Sequence, residues 1–337
     1  MKVLVTGGSG FLGKALVFRL LADGHQVVTF CRGRYEDLER SNALNVRGDL
    51  SDSVAVQRAA RGCDAILHTA AKVGAEVRAD EFEQTNVIGT RNVIAACHAE
   101  NVGRLVYTST PSVVHAGGDI EGADESLPYP PSFHAHYPRT KALAEQQVLA
   151  ANSERLATVS LRPHLIWGPG DTNLVPRIIA RANAGRLRFV GKTPKLVDTT
   201  YIDNAVDAHL CALRRIEVGA VCAGKAYFIA NGEPMLQTTI INGILEAGGL
   251  APIDKHISAG AARVLGGILE AAYWLFRIPG EPPMTRFLAE QLSTAHWYDL
   301  SAATNDLKYR AQVDVQEGLR RLAISLKSDV GSGLSNR

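Results

Sequence analysis

The chain has 337 residues, of which 46% are hydrophobic and 21% are charged, and its formal net charge is +2. This composition is typical of a globular α/β protein with one large domain or two lobes, and the small net charge excludes the basic field that nucleic-acid binding needs. Five scattered cysteines without a CxxC pair predict reduced thiols in a cytoplasmic protein, and Met1 leads directly into the first strand, so we expect no signal peptide.

The first predicted element is an apolar strand, residues 3–6, that runs directly into a glycine-rich turn. Gly7 ends the strand in a turn that needs a positive φ, and Gly10 lets the backbone approach a pyrophosphate without a Cβ in the way. Gly13 lets the following helix, residues 14–22, pack closely on the strand. Because free N–H groups at a helix N-terminus stabilise anionic oxygens, this segment predicts a dinucleotide site.

Strands and helices then alternate along the first half of the chain. The predicted strands are residues 26–30, 44–46, 65–68, 104–109 and 158–162, and the clearest predicted helices are residues 53–61 and 82–100. This order predicts a doubly wound parallel sheet of the Rossmann type, with ligands at the carboxyl ends of the strands. We assign residues 1–170 mainly to this dinucleotide-binding domain, completed by later segments, residues 171–326 mainly to a smaller substrate-binding lobe, and residues 327–337 to a disordered tail.

Tyr137 and Lys141 form a YxxxK pair that predicts acid–base chemistry. Pro138 suits the first position of a helix, so Tyr137 and Lys141 lie one turn apart on the same face. An ammonium group beside a phenol lowers the phenol pKa from its usual value of about 10. Ser109 and Thr110 follow the preceding strand, where a hydroxyl can donate to a carbonyl oxygen that Tyr137 protonates.

A long apolar segment, residues 259–278, includes the run Tyr273-Trp274-Leu275-Phe276. Arg263, Glu270 and Arg277 interrupt it, and such charges are costly in lipid, which argues against a transmembrane span. We interpret the segment as a helix that lines or covers an apolar substrate cavity, with a peripheral membrane contact as the alternative.

Two further patterns favour unremarkable interpretations. His134 and His136 have the spacing of a metal-binding pair, but no third ligand clusters with them, so we expect no metal site. An arginine-rich stretch is most simply a solvated face; alternatively, one of its members or Arg162 pairs with a substrate carboxylate. The stretch comprises Arg177, Arg181, Arg186 and Arg188.

Motifs spread over nearly the whole chain resemble the extended short-chain dehydrogenase/reductase superfamily, and specifically its 3β-hydroxysteroid dehydrogenase-like branch. The matching motifs are Thr6-Gly7-Gly8-Ser9-Gly10-Phe11-Leu12-Gly13, Gly48-Asp49-Leu50, His68-Thr69-Ala70-Ala71, Asn86-Val87-Ile88-Gly89-Thr90, Tyr107-Thr108-Ser109-Thr110, Tyr137 to Lys141, Leu161-Arg162-Pro163 and Tyr201-Ile202-Asp203-Asn204-Ala205. Their number and order make the resemblance specific for fold and for hydride chemistry.

The resemblance implies a role for each matching residue. Tyr137 is the general acid, Lys141 holds the nicotinamide ribose and tunes Tyr137, and Thr110 polarises the carbonyl. The family more often has Ser at this last position, so neighbouring Ser109 is the alternative for that contact. The implied cofactor-binding residues are Gly7, Ser9, Gly10, Phe11, Leu12 and Gly13 in the turn, Asp49 and Leu50 beside the adenine, Ala70 and Ala71 beside the pyrophosphate, Pro163 beside the nicotinamide, and Asn86, which orders water and backbone.

The residues after the second strand predict which dinucleotide binds. Cys31-Arg32-Gly33-Arg34 contains no acidic residue to accept a ribose 2′-OH, and Arg32 offers a guanidinium to a 2′-phosphate. We therefore expect NADPH/NADP+ in preference to NADH.

The resemblance implies NADPH-dependent reduction of the 3-oxo group of a long-chain 2-alkyl-3-oxo acid, with other enzymes of long-chain olefin biosynthesis as partners; we also expect a homodimer. The alternatives are a sterol or 3β-hydroxysteroid dehydrogenase, a sugar-nucleotide epimerase, and a non-catalytic regulator that senses the dinucleotide. The apolar segment 259–278 argues against a sugar nucleotide, and the intact pair of Tyr137 and Lys141 argues against the regulator.

Overall fold

The computed structural model describes residues 1–74, 79–193, 195–278 and 280–334. Its strands are β1 (Lys2–Thr6), β2 (Gln26–Cys31), β3 (Leu44–Arg47), β4 (Ala65–His68), β5 (Arg104–Thr108), β6 (Ile120–Ala123), β7 (Ala157–Pro163), β8 (Ile166–Trp167), β9 (Phe189–Val190), β10 (Leu196–Val197), β11 (Thr200–Tyr201), β12 (Lys225–Ile229), β13 (Met235–Leu236), β14 (His256–Ile257) and β15 (His296–Tyr298). Its α-helices are α1 (Phe11–Ala22), α2 (Glu36–Glu39), α3 (Ser53–Ala60), α4 (Asp80–Phe82), α5 (Gly89–Glu100), α6 (His136–Ala150), α7 (Leu174–Asn183), α8 (Ile202–Arg215), α9 (Gln237–Ala247), α10 (Ala259–Leu275), α11 (Arg286–Gln291) and α12 (Val315–Leu334).

Seven of these strands form one parallel sheet in the order β12-β7-β5-β4-β1-β2-β3. Strands β4 and β7 are buried along their whole length, as expected for a sheet covered by helices on both faces. The chain leaves the β3 edge and re-enters beside β1 as β4, which makes the carboxyl ends of β1 and β4 the switch point where such sheets bind ligands. The predicted doubly wound α/β fold is confirmed, and β12 returns from the second half to complete the sheet.

The predicted helix 82–100 is interrupted near its beginning. A π-helical turn, Glu83–Ile88, joins α4 to α5. Such a turn inserts an extra residue into the helical repeat, and it frequently occurs at functional sites. Here it carries Asn86 on the inner side of the helix, where that side chain is buried.

The remaining strands build a smaller lobe over the carboxyl edge of the large sheet. One sheet of four strands has the order β13-β10-β15-β6, and two parallel pairs join β8 to β11 and β9 to β14. Helices α10 and α11 pack on the second of these pairs around Val190, Ala262 and Ala289. A Cβ at Gly266 would lie 2.5 Å from the carbonyl carbon of Thr285, so α10 approaches the start of α11 closely at this glycine.

Helix α12 differs from the predicted disordered tail 327–337, because it continues through Leu334. Its first turns are anchored by buried Leu322 and by Arg321, whose side chain pairs with Asp203 and Glu317. Extending an anchored helix costs much less free energy than starting one, so the polar residues after 327 continue it. Residues 335–337 lie outside the described residues.

Candidate active site

The turn after β1 has the geometry of a phosphate cradle. Gly7 has the predicted positive φ, +71°, and a Cβ there would lie 2.8 Å from the backbone of Ala70. A Cβ at Gly13 would lie 2.1 Å from the carbonyl oxygen of Gly7, so neither position accepts a side chain. Gly10 precedes α1 without any side-chain cap, which leaves the first amides of the helix open to an anion. The turn therefore fits the pyrophosphate of a dinucleotide.

A cavity of about 1160 Å³ extends from this turn along the carboxyl edge of the sheet and under the smaller lobe. It brings together almost all of the site residues predicted from the sequence. Those that line it are Gly7, Ser9, Gly10, Phe11, Leu12, Gly13, Arg32, Asp49, Leu50, Ala70, Ala71, Ser109, Thr110, Tyr137, Lys141 and Pro163.

Asn86 is the predicted site residue that does not line this cavity. Its side-chain oxygen accepts from the Lys72 amide at 2.7 Å, and its nitrogen donates to the Lys72 carbonyl and to Thr140 Oγ1, both at 3.0 Å. These bonds tie the segment after β4 to α6. Asn86 thus orders the backbone beside the site, as expected, without contacting the space where a cofactor fits.

Tyr137 lies at the start of α6 with its hydroxyl close to that of Thr110. Burial raises the pKa of Tyr137 to about 12, and its side-chain interaction with Thr110 opposes the increase. Thr110 caps the 3₁₀ turn Pro111–Val114 by accepting from the Ser112 amide, which fixes the position of its side chain. Both predicted hydroxyls, those of Ser109 and Thr110, line the cavity, and that of Thr110 also donates to Ser112 Oγ at 3.3 Å. Pro138 occupies the third helical position, two residues later than predicted, because the helix begins at His136.

Lys141 follows one turn later and is almost completely buried. Its Nζ donates to the Thr108 carbonyl at 2.6 Å and lies 4.1 Å from the centroid of the Tyr107 ring. Burial lowers the pKa of Lys141 to about 7, and Glu145 opposes the decrease. The predicted lowering of the Tyr137 pKa by Lys141 is not seen, because the desolvation of the phenol outweighs other influences.

The next turn of α6 carries Glu145, which pairs with Arg162 of β7. The pair is buried, with Arg162 Nη2 at 2.6 Å and Nε at 3.1 and 3.2 Å from the carboxylate oxygens. Tyr129 also donates to this carboxylate at 2.7 Å. Arg162 does not line the cavity, so the suggestion that it binds a substrate carboxylate is wrong. The pair instead attaches α6 to the sheet.

The adenine end of the cavity carries an exposed guanidinium. Arg32 and Tyr35 both line this end of the cavity, and the sequence pattern did not predict Tyr35 as a lining residue. Asp49 lies nearby with its Oδ1 accepting from the amide and hydroxyl of Ser51 at 2.9 and 2.7 Å. These hydrogen bonds, together with the charge of Arg32, lower the pKa of Asp49.

The other end of the cavity is apolar. Its walls come mainly from α7, α9, α10 and α11, through residues such as Ile178, Ile240, Leu265, Leu269 and Phe287. Helix α10 contributes Leu265 and Leu269, in line with the interpretation of segment 259–278. Trp274, by contrast, is 71% exposed and does not line the cavity, because it lies at the far end of the helix.

The arginine-rich stretch borders the cavity, and Arg177, Arg186 and Arg188 are exposed, as predicted for a solvated face. All four of its arginines are among the lining residues. Arg177 pairs with Glu281 at 2.8 Å, and Arg181 donates to the Pro283 carbonyl at 2.8 Å. These two contacts attach α7 to the loop that follows α10. The loop after α10 crosses α7 and brings these contacts about. Because the two segments are distant in the sequence, no local pattern indicates that they touch.

Two buried histidines of the cavity wall were also missed. His164 follows Pro163 directly, and its Nδ1 lies 2.5 Å from the Asp198 carbonyl oxygen. His296 comes from β15, and its Nε2 lies 2.9 Å from Thr294 Oγ1. Burial lowers the pKa of His164 to about 4 and that of His296 to about 2, so both rings are neutral at physiological pH. The proximity of His164 to Pro163 could have indicated the first, whereas nothing local indicates the second.

Comparison with known proteins relates nearly the whole chain to one enzyme family. The model of the 3-beta hydroxysteroid dehydrogenase/isomerase family matches residues 4–253. A protein of Stenotrophomonas maltophilia (strain K279a), named 2-alkyl-3-oxoalkanoate reductase, is 55% identical over 328 residues, which cover 96% of this chain and 99% of that protein. A protein of the same name from Shewanella oneidensis is 48% identical over 330 residues, which cover 96% of this chain and 85% of that protein.

The chain is also similar in fold to solved structures that bind NAD. The UDP-glucose 4-epimerase of Thermus thermophilus, in complex with NAD, is similar with a TM-score of 0.73 and 25% sequence identity. The match covers 97% of this chain and 99% of that one.

Proposed function

Since the chain belongs to the 3-beta hydroxysteroid dehydrogenase/isomerase family and is an NAD(P)-dependent oxidoreductase, we propose a specific reaction for it. The protein reduces the 3-oxo group of a long-chain 2-alkyl-3-oxoalkanoate with NADPH, as a step of long-chain olefin biosynthesis. The observation that carries this proposal is the position of Tyr137, Thr110 and Lys141 in the wall of one cavity whose far end is lined mainly by apolar side chains. The names of the two bacterial relatives support the substrate class.

The residues of the cavity divide the chemistry between them. When bound, the reduced dinucleotide supplies the hydride that is added to the 3-oxo carbon. Tyr137, whose raised pKa keeps it protonated at neutral pH, delivers the proton to the carbonyl oxygen, and the Thr110 hydroxyl donates a hydrogen bond to that oxygen as negative charge develops. The ammonium group of Lys141 then stabilises the phenolate that Tyr137 becomes.

The choice of NADPH depends on the adenine end of the cavity. The strand β2 ends at Cys31, and no acidic residue follows at the position that accepts a ribose 2′-OH in NAD enzymes. The exposed guanidinium of Arg32 offers a charge-assisted, bidentate partner for a 2′-phosphate. The Asp49 carboxylate, which would repel such a phosphate, is held by Ser51.

A substrate panel tests the reaction. NADPH oxidation is followed with 2-alkyl-3-oxo acids of increasing chain length and with a 3-oxosteroid. NADP+ reduction is followed with the corresponding 3β-hydroxysteroid, and epimerisation of a UDP-sugar is followed by product analysis, because it consumes no net cofactor. Each buried CH₂ contributes about 0.8 kcal/mol, so four added carbons should raise kcat/KM by roughly two orders of magnitude until the apolar end is filled. Turnover of the steroid alone would replace the oxo acid by a steroid as substrate, and kcat/KM values independent of chain length would contradict the assignment of the apolar end to the acyl chains.

A further inference from the structure

Helix α10 presents an apolar stripe on its outer side. Val264, Ile268 and Leu275 are 64%, 61% and 65% exposed, and their spacing of four and seven residues places them on one helical face. Trp274 and Phe276 extend the apolar surface at the end of the helix, and both are also strongly exposed. We call these five residues the α10 patch. A stripe of this kind normally faces the core of a protein, so its exposure indicates a contact with something else.

A neighbouring side of the same helix lines the substrate cavity. Leu265 and Leu269 line the apolar end, and Ala262 and Gly266 pack against the lobe beneath. One helix thus separates the cavity from the exposed α10 patch. The patch is therefore adjacent to the place where acyl chains enter under the proposed function.

The charges around the patch have a net positive sign. Glu270 is neutralised by Arg286 at 2.7 Å, and Glu281 by Arg177 at 2.8 Å. Arg263 and Arg277 lie within or just after the helix, are exposed, and form no ion pair within the described ranges. Arg181 brings a further guanidinium to the loop after α10. An apolar surface bordered by unneutralised arginines is complementary to acyl chains beneath anionic headgroups.

We propose that the α10 patch docks the protein on an anionic lipid surface, with Val264, Ile268 and Leu275 in the acyl boundary and Arg263 and Arg277 at the headgroups. No helix in the described part of the chain is long and apolar enough to cross a membrane, so the contact is peripheral. A second copy of the chain fits the patch less well, because twofold pairing brings the same positive charges close together. The proposal does not depend on which ketone is reduced.

Vesicle binding tests the proposal with the full-length protein. We expect cosedimentation with vesicles of phosphatidylcholine mixed with phosphatidylglycerol, weaker binding to phosphatidylcholine alone, and weakening by salt. Ile268→Glu should reduce the binding by at least about tenfold, since it places a charge in the acyl boundary. The matched control is Val221→Glu, because Val221 is an equally exposed apolar residue of a turn outside the patch, 67% exposed, and it should bind as the unmodified protein does.

Tryptophan fluorescence gives a second measurement that does not depend on the glutamate variant folding well. Trp274 is the strongly exposed member of the three tryptophans, so its emission should shift to shorter wavelength on anionic vesicles. Trp274→Phe should abolish this shift, and Arg263→Gln combined with Arg277→Gln should weaken binding while leaving the fold unchanged.

Three results would overturn the proposal: no binding of the unmodified protein to anionic vesicles, equal binding by Ile268→Glu, or a change from dimer to monomer caused by Ile268→Glu in sedimentation without any effect of lipid. The last result would assign the patch to self-association. Reduction of a soluble 3-oxo acid should be unaffected in Ile268→Glu. If the unmodified protein reduces none of the 2-alkyl-3-oxo acids of the substrate panel, the proposed function is contradicted and the docking proposal is unaffected.

Discussion

The surroundings of Lys141 set its protonation in the candidate site. The Thr108 carbonyl and the Tyr107 ring hold its ammonium group, but burial makes the charged form costly and lowers the pKa of Lys141 to about 7. Tyr137 experiences the same desolvation in the opposite direction, since burial disfavours its anion and raises its pKa to about 12. The pair therefore begins a reduction with a protonated acid and a lysine close to its point of titration.

The lowered pKa of Lys141 and the raised pKa of Tyr137 together predict the pH dependence of the reduction. Below a pH of about 7 Lys141 is charged and can stabilise the phenolate of Tyr137, whereas above it the charge is lost. We expect kcat/KM to fall about tenfold per pH unit above that value, with no separate limb from Tyr137 below about pH 12. Steady-state kinetics at constant ionic strength measures the profile, and thermal melting at each pH controls for unfolding. A flat profile between about pH 6 and pH 9 would show that the charge of Lys141 is not needed.

Arg32 decides cofactor preference in our account. Removing a bidentate partner of a phosphate costs more than about 1.4 kcal/mol, which corresponds to a factor of ten. Arg32→Ala should therefore lower kcat/KM for NADPH by at least about tenfold and leave that for NADH nearly unchanged. Arg34→Ala is the matched control, because Arg34 lies two residues away and faces Glu39 at 3.8 Å. Equal preference for the two cofactors in the unmodified protein would refute the assignment.

At the scale of elements, α6 is held in place by one buried ion pair. Glu145 and Arg162 join the helix that carries Tyr137 and Lys141 to strand β7. Because both charges are inaccessible to water, removing one leaves the other without compensation, and such changes cost about 3–5 kcal/mol. The pair is therefore a structural determinant of the catalytic geometry although it does not reach the cavity.

Arg162→Met tests that role. The free energy of unfolding in urea should fall by about 3–5 kcal/mol, and the double variant Glu145→Leu with Arg162→Met should recover most of it, since no buried charge then remains. The surface pair Arg40–Glu36 provides the control, because both of its side chains are about four-fifths exposed and Arg40→Met should change stability by less than about 1 kcal/mol. If Arg162→Met lowers the free energy of unfolding by less than about 1 kcal/mol, the pair is not needed to hold α6.

The elements differ in how well the sequence predicts them. Local sequence patterns are enough to locate some features to within one or two residues. These features are strands β1 and β4, the turn at Gly7 and the helical spacing of Tyr137 and Lys141. The partner of Arg162 is seventeen positions earlier on another element, and the contacts of Arg177 depend on a loop about a hundred residues later. Hydrophobic periodicity specifies which face of an element is buried, but not which distant segment covers it.

The pKa values of the site show the same limit. Sequence spacing places Lys141 beside Tyr137, from which a lowered phenol pKa was expected. Whether the pKa of Tyr137 rises or falls depends on how much water the folded chain excludes from the site, and this exclusion is a property of the whole cavity. Helix α12 was missed for a related reason, because its anchoring by Arg321 and Leu322 depends on packing against distant segments.

At the scale of the whole molecule, one continuous cavity contains both the predicted cofactor site and the apolar end proposed for the substrate. The large sheet supplies the glycine turn and the catalytic helix, and the smaller lobe supplies the apolar walls and, on the outer side of α10, the exposed patch. This arrangement allows a long acyl chain and a polar dinucleotide to bind at opposite ends with the reacting carbonyl beside Tyr137. Under the proposed function, Tyr137 delivers the proton in this NADPH-dependent reduction.

The kinetics of Tyr137→Phe test that claim most directly. The phenyl ring preserves the packing but has no proton to transfer, so kcat for reduction of a long-chain 2-alkyl-3-oxo acid should fall by at least about a hundredfold. The Kd for NADPH, measured by fluorescence titration of the same preparation, should remain within a few-fold of the unmodified value, which shows that the cavity is intact. Turnover close to that of the unmodified protein, with NADPH bound equally well, would contradict the account.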